Sequence, residues 1–220
     1  MRRFSFIKEN LKTFLTSSII TILPIIAGLV LWNRLPDIIA THWGPQGVAD
    51  GYSSKAFAVF ALPSFLLAIH WICLFISCLD IRTTNQPKKA LKLIFWICPV
   101  ISFFVSYIMY SYALGFELNV AKFSVILFGM MFIIIGNYMP KIKQNRFLGI
   151  KLPWTLKNEE NWNMTHRFSG RLWVAGGIIS ILFSFIPTHL CFLFFMADVF
   201  LMVLIPTLYS YIYHKKQSKS

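Results

Sequence analysis

Glu159 and His166 are the pair in this 220-residue chain whose types and spacing first suggest a reaction. Seven residues apart on a helix, they share a face, and a carboxylate beside an imidazole is an ordinary pairing for general acid–base work. No nucleophile or metal set accompanies them, so the enzyme reading rests on this pair or on the outer His residues, and the chain is not expected to be an enzyme. His42, Asp37, Asp50 and His189 are of metal-ligating type, but their spacing matches no zinc pattern, and neither a metal nor a cofactor is expected. A third group ionises inside apolar runs. Asp198 lies about 12 Å and His70 about 20 Å from the outer end of its run at 1.5 Å per residue. Ionisable residues at such depth are costly and point to function by default. Tyr107, about 10 Å deep by the same rise, is better matched to Asp198 than His70 is. A backbone carbonyl, or a proton- or substrate-linked role, remains the alternative for Asp198, and a packing role for His70.

The elements that must position these residues are membrane spans. Hydrophobic residues make up 57% of the chain and charged ones 13%, against about 25% charged in soluble domains. With a mean hydropathy of +0.64, this is the composition of an integral membrane protein, whose first partner is the lipid bilayer. Six runs are candidates for crossing: Phe14–Trp32, Phe57–Leu79, Leu93–Leu114, Phe123–Met139, Leu172–Ile186 and Leu190–Ile212. The fifth is short for a span of roughly 17–25 residues; it either starts earlier, with Arg171 snorkelling, or forms half of a hairpin with the sixth. The basic N-terminus followed by a long apolar run without a cleavage pattern reads as a retained span rather than a signal peptide.

Of the 21 Lys and Arg residues, 18 fall in the N-terminal tail, the second and fourth loops and the C-terminal tail. The positive-inside rule then places both termini in the cytoplasm. The net charge of +13 therefore follows the membrane and not a groove-reading surface, and no direct nucleic-acid contact is expected. The fold expected is all-α and polytopic, with six transmembrane helices in the membrane that bounds the cytoplasm. Residues 1–115 would form an N-terminal domain of three spans, and 116–214 a second three-span domain with a cytoplasmic loop at 140–171. Residues 215–220 would be a disordered tail. Pro24, Pro63, Pro99 and Pro206 fall inside spans, where helices tolerate them. The four Cys residues read as buried, reduced packing residues.

The first outer loop, "LPDIIATHWGPQGVADGYSSK", reads as ordered. Gly44-Pro45 and Asp50-Gly51 are turn dipeptides, and His42-Trp43 puts two amphipathic rings at headgroup height. The longest inner loop, Asn145 to Trp173, divides in two. Gly149 and Pro153 mark an irregular entry. From Asn158, as N-cap, with Glu159 and Glu160 in the first turn, a helix is expected. Trp162, His166, Ser169 and Trp173 would form a stripe on it, lying in the headgroups as an amphipathic interfacial helix.

Both loops carry a resemblance. Leu35, Pro36, His42, Trp43, Gly47, Asp50, Gly51 and Lys55 resemble the signature of a small membrane domain that commonly precedes a second one. The inner loop, through Asn145, Leu148, Gly149, Ile150, Pro153, Trp154, Thr155, Leu156, Lys157, Glu159, Glu160, Trp162, His166 and Arg167, resembles the hallmark of the SdpI-type family of bacterial immunity membrane proteins. Lys151 stands where that family commonly has Arg, which keeps the charge but loses the bidentate fork.

The resemblance implies immunity or resistance to a membrane-active peptide toxin or bacteriocin. It implies a toxin-contacting outer loop at His42, Trp43, Gly47, Asp50, Gly51 and Lys55. It also implies a partner-binding inner loop at Asn145, Gly149, Lys151, Pro153, Trp154, Thr155, Lys157, Glu159, Trp162, His166 and Arg167. A signalling arm, sequestering a cytoplasmic transcriptional repressor at the membrane, goes with the family's known behaviour. The rival readings are a small transporter built on Asp198 and the kinked helices, and a membrane enzyme.

Overall fold

The computed structural model describes residues 5–79 and 86–217. Arg2, Arg3, Arg82 and Lys219, four of the basic residues that set the expected orientation, lie outside them. The chain divides into two compact units, Met1–Thr84 with Leu91–Val120, and Asn85–Ala90 with Ala121–Ser220. Among the described residues, five helical stretches are long and apolar enough to cross a membrane: Leu11–Val30, Phe57–Cys78, Leu91–Ala113, Val120–Lys141 and Thr188–Gln217. A sixth long helix, Glu159–Phe183, completes the set.

The first unit begins with α1 (Ser5–Glu9) and α2 (Leu11–Val30), followed by a hairpin of β1 (Ile38–Trp43) and β2 (Ala49–Ser54). A π-helical turn over Phe57–Ala61 leads into α3 (Leu62–Leu79). Pro63 has no amide hydrogen to give to the carbonyl four residues back, and the chain widens ahead of it. Most of α4 (Lys88–Ala113) closes the unit.

The inward face of α2 is small and polar: Ser17, Thr21, Pro24 and Gly28 are buried at i, i+4, i+7 and i+11. This inverts the soluble pattern, because lipid solvates the apolar faces and close approach with hydrogen bonding must hold the helices together. From α4, Ser102 donates to the Thr21 carbonyl at 2.7 Å and the Tyr110 hydroxyl to that of Pro24 at 3.1 Å. The hairpin sits on this bundle through Leu35 and Ile39, which are buried with Ala58, Val59, Met109 and Tyr110.

The second unit holds α5 (Val120–Tyr138), a 3-10 turn at Met139–Lys141, a short α6 (Pro153–Lys157), α7 (Glu159–Phe183) and α8 (Thr188–Gln217). Its apolar core gathers Val125, Cys191 and Phe195, with Phe132, Phe183 and Ile186 packed around them. Helices α5 and α7 meet glycine to glycine. A Cβ on Gly129 would lie 2.7 Å from the Gly177 carbonyl, and one on Gly136 would lie 2.8 Å from that of Gly170. The reverse pairs are as tight, at 2.5 Å from Gly177 and 2.7 Å from Gly170. On each helix the two glycines that face the other helix are seven residues apart, so two turns of antiparallel backbone lie against each other.

Three expectations need correction. The fifth span is not separate from the inner-loop helix, since α7 runs unbroken from Glu159 to Phe183. Its stripe is not laid in the headgroups, because Trp162, His166 and Ser169 are buried in protein. Nor is the C-terminal tail wholly irregular, because α8 continues through Gln217, with 218–220 outside the described residues. Of the cysteines, Cys78, Cys98 and Cys191 are buried, whereas Cys73 is exposed on its helix.

Candidate functional sites on the hairpin and beneath the inner loop

In the hairpin, the tight turn is Gly44-Pro45-Gln46-Gly47. The Gly44 amide donates to Val48, the Gly47 amide donates back to Gly44, and Gly47 takes a φ of +76° that suits a residue without Cβ. Asp50-Gly51, expected as a second turn, lies instead within β2. The ladder slips there: Ala40 pairs with Tyr52, His42 with Gly51 and Trp43 with Ala49, which leaves Thr41 and Asp50 as extra residues on opposite strands. Such bulges re-aim side chains. Here they bring His42 Nδ1 to 2.5 Å from Asp50 Oδ1, with the side chains 75% and 53% exposed. Gly51 makes room for this pair, since a Cβ there would lie 2.8 Å from the His42 Cβ.

His42 and Trp43 do not act as two headgroup rings side by side. Trp43 turns inward, partly buried, and meets Tyr112 edge-on at 5.7 Å, while His42 points out. Lys55 is an internal brace. Its ammonium, on a side chain 14% exposed, donates to the carbonyls of Leu35 at 3.0 Å and Trp32 at 3.3 Å, pairs with Asp37 at 3.0 Å and lies over the Trp32 ring. A cation on the carbonyls of the turn that follows α2 sits at the negative end of that helix. Among the described residues no three His, Cys, Asp or Glu side chains are grouped as ligands of a metal.

Beneath the inner loop, the motif residues build a framework. The Asn145 carboxamide accepts the amides of Phe147 and Leu148 and donates to the carbonyls of Lys143 and Leu148. Gln86 grips the Lys143 backbone twice, at 2.8 Å each way. Gly149, at φ +102°, lies against the imidazole of His166. Thr155 caps the one-turn α6 by accepting the Leu152 amide at 2.9 Å, and Pro153 starts that turn where no amide donor is needed. At the head of α7, Asn158 caps the helix by accepting the Asn161 amide at 2.8 Å.

His166 is closed to outside chemistry. Its Nδ1 donates to the Trp162 carbonyl at 2.8 Å, its Nε2 accepts the Ile150 amide at 3.0 Å, and the Trp162 ring stacks on it at 4.0 Å. Both contacts together fix the neutral Nδ1–H tautomer. Burial pushes its pKa down to about 4, only partly opposed by the bond to Trp162. Glu159, exposed in the first turn of α7, does not meet it, so the proposed acid–base pair is not assembled.

Trp154 donates to the Ser210 hydroxyl at 2.7 Å and stacks on His214. Ser210 in turn donates to Asn161 Oδ1 at 2.8 Å, while Asn161 donates to the Ser210 carbonyl and accepts from Thr165. Asn161, Thr165, Ser210 and Gln86 were missed by sequence reasoning. Asn161 and Thr165 sit four apart beside the Trp162–His166 pair, a polar stripe that was visible. Ser210 and Gln86 carry no local signal. Lys151, Lys157, Glu159 and Arg167 are exposed around this framework.

Asp198 is not partnered by Tyr107. It accepts a hydrogen bond from Ser180 at 2.7 Å within the second unit, whereas Tyr107 belongs to the first and is half-exposed. His70 is fully buried with Nε2 3.0 Å from Ser17 Oγ. Ser17 donates to the Phe14 carbonyl, so His70 Nε2 carries the proton of that contact. Its Nδ1 has no partner among the described residues.

The chain also resembles known proteins. Residues 141–210 match the model of the SdpI/YfhL protein family, and residues 19–67 match a domain of unknown function, DUF1648. The immunity protein SdpI of Bacillus subtilis (strain 168) is 30% identical over 210 residues, covering 96% of this chain and all of that protein. No solved structure matches. Apart from Gln86, the inner-loop framework lies within the first match and the hairpin within the second, and with identity running over nearly the whole length, this multi-pass bacterial membrane protein belongs to the SdpI/YfhL family.

Proposed function

We propose that this protein protects its cell from a membrane-active peptide toxin, with the hairpin as the toxin-facing surface. The observation that carries the reading is the end-to-end likeness to an immunity protein. The hairpin supports it: His42 and Asp50 form an exposed, bulge-directed pair on a platform braced by Lys55 and Ile39. The distribution of Lys and Arg puts that platform on the outer face, where a secreted toxin arrives. On the opposite side, Lys151, Lys157, Glu159 and Arg167 form the face offered to a cytoplasmic partner, including a repressor held at the membrane.

The test is survival. The chain is expressed in a sensitive Gram-positive host and challenged with peptide toxins from related strains, with membrane levels followed by blot. Wild type is expected to protect, and His42→Ala to lose protection at an unchanged level. A well-inserted wild type that protects against none of the toxins would overturn the reading.

A further inference from the structure

Helix α7 turns one stripe outward. Arg167, Arg171, Ala175 and Ile178 follow one another at i, i+4, i+8 and i+11, and all four are exposed. Two like charges one turn apart repel, and among the described residues neither arginine meets a carboxylate. The acid on the same face, Glu160, stands seven residues before Arg167 and already accepts from Tyr213 and Gln217. Helix α5 marks the level at which this pair sits. The apolar run of α5 closes at Met139, and Pro140 packs on α7 so tightly that a Cβ on Gly170 would lie 2.7 Å from the proline ring. Gly170 lies between the two arginines in sequence, so the boundary of acyl chain and headgroup that ends α5 crosses α7 at their level.

We infer that this face of α7 is a binding site for one anionic phospholipid of the inner-loop-side leaflet, with its phosphate between Arg167 and Arg171 and an acyl chain over Ala175 and Ile178. Helical side chains lean toward the N-terminus of their helix, and for α7 that is the headgroup side, so both guanidinium groups reach toward the phosphates. Their forks match phosphate oxygens, and a phosphate is the anion that a bilayer supplies at that level. Ala175 carries only a methyl group and leaves room for chain below Arg171, and Ile178 continues the apolar track. Net charge selects among lipids: a zwitterionic headgroup brings its own cation, whereas an anionic one relieves the repulsion between the two arginines. Arg167 is the membrane edge of the inner face, so a bound headgroup leaves Lys151, Lys157 and Glu159 open to a cytoplasmic partner. The site depends neither on the toxin reading nor on which way the chain faces.

The test uses the full-length chain in phosphatidylcholine vesicles with a minor share of phosphatidylglycerol that carries a diazirine in one acyl chain. After photolysis, adducts are mapped by mass spectrometry. The depth-matched reference is Phe200 with Leu201, exposed residues of α8 that lie between the Ser180–Asp198 and Trp173–Met202 contacts. Ala175 and Ile178 should be labelled at least about fivefold above that reference. Arg167→Gln with Arg171→Gln should remove the excess and leave labelling of α8 unchanged. Lys151→Gln with Lys157→Gln takes the same charge from elsewhere on the inner face and should keep it. Phosphatidylcholine carrying the same diazirine should label both helices alike. Even labelling by phosphatidylglycerol in the wild type, or an excess that survives loss of both arginines, would overturn the site. An excess lost equally in the lysine variant, or equally strong with phosphatidylcholine, would overturn the recognition of an anionic headgroup by this pair.

Discussion

Gly149 lies so close against His166 that a methyl group on its Cα would overlap the imidazole nitrogen that accepts the Ile150 amide. The contact joins the irregular entry of the inner loop to the middle of the polar half of α7. Two penalties would meet in Gly149→Ala: a Cβ at a φ of +102° and a collision with a ring held on three sides. The expected loss is about 2–4 kcal/mol. Gly115→Ala is the control, since that residue has a φ of +84° and nothing within 4 Å of the added carbon. It should cost about 1–2 kcal/mol. Unfolding midpoints of the two variants in detergent would show whether the collision matters beyond the backbone conformation.

Acid should act on the same ring. The His166 pKa falls to about 4 by burial, against about 6.5 in an unfolded chain. Between those values the unfolded state binds the proton and the folded state does not, so stability rises with pH across that window and is lost as pH drops from 6.5 toward 4. The full difference is about 3 kcal/mol. Thermal midpoints taken at pH 7, 5.5 and 4.5 should fall in that order. The fall should be shallower in His166→Gln, even though that variant starts from a lower midpoint.

The Asn161–Ser210 bonds tie α7 to α8 inside a low-dielectric setting, where an unpaired polar group is expensive. Asn161→Ala strands the Ser210 hydroxyl and that of Thr165, and should cost about 2–3 kcal/mol. Trp154→Phe removes one donor to a serine that keeps its own acceptor, and should cost about 1 kcal/mol. A double-mutant cycle of Asn161→Ala with Ser210→Ala should return a coupling of about 1–2 kcal/mol. A value near zero would show the bonds to be independent.

Two residues of the hairpin should separate by what they lose. His42→Ala touches an exposed side chain and should leave stability within about 0.5 kcal/mol, while protection against toxin is lost. Lys55→Met empties the brace under Leu35 and Trp32, and it should lower the midpoint and protection together. Scanning both variants for melting and for survival distinguishes a contact from a support.

The spans were legible because their signal is a count of consecutive apolar residues, which needs no partner. The cap at Asn158 was legible for the same reason, since its bond closes within three residues. The hairpin was not: Ile38–Trp43 is too short and too mixed to show a strand period, and its register slips at His42. Asp50-Gly51 looks like a turn by type, and only the imbalance of the two strands puts it inside one. The partner of Asp198 was sought by depth on a helix of the other unit, whereas Ser180 stands on α7, whose continuity the marginal apolar run concealed. Buried polar stripes such as Asn161, Thr165 and Ser169 look like a water-facing surface until the Asn161 acceptor on α8, and the bonds that Thr165 and Ser169 make along α7, are seen.

The facing glycines of α5 and α7 bear on how the protein is made. The apolar part of α7, Leu172–Phe183, would cover only about 18 Å of a hydrocarbon layer about 30 Å thick. Hydropathy alone gives a translocation channel little reason to release it sideways into lipid. Helix α5 leaves the ribosome first and carries Gly129 and Gly136, a track on which α7 can lie backbone to backbone before α8 has been synthesised. Entry of this segment into the bilayer is then a step of tertiary folding, and its timing follows the arrival of its neighbours, not the oiliness of its own residues.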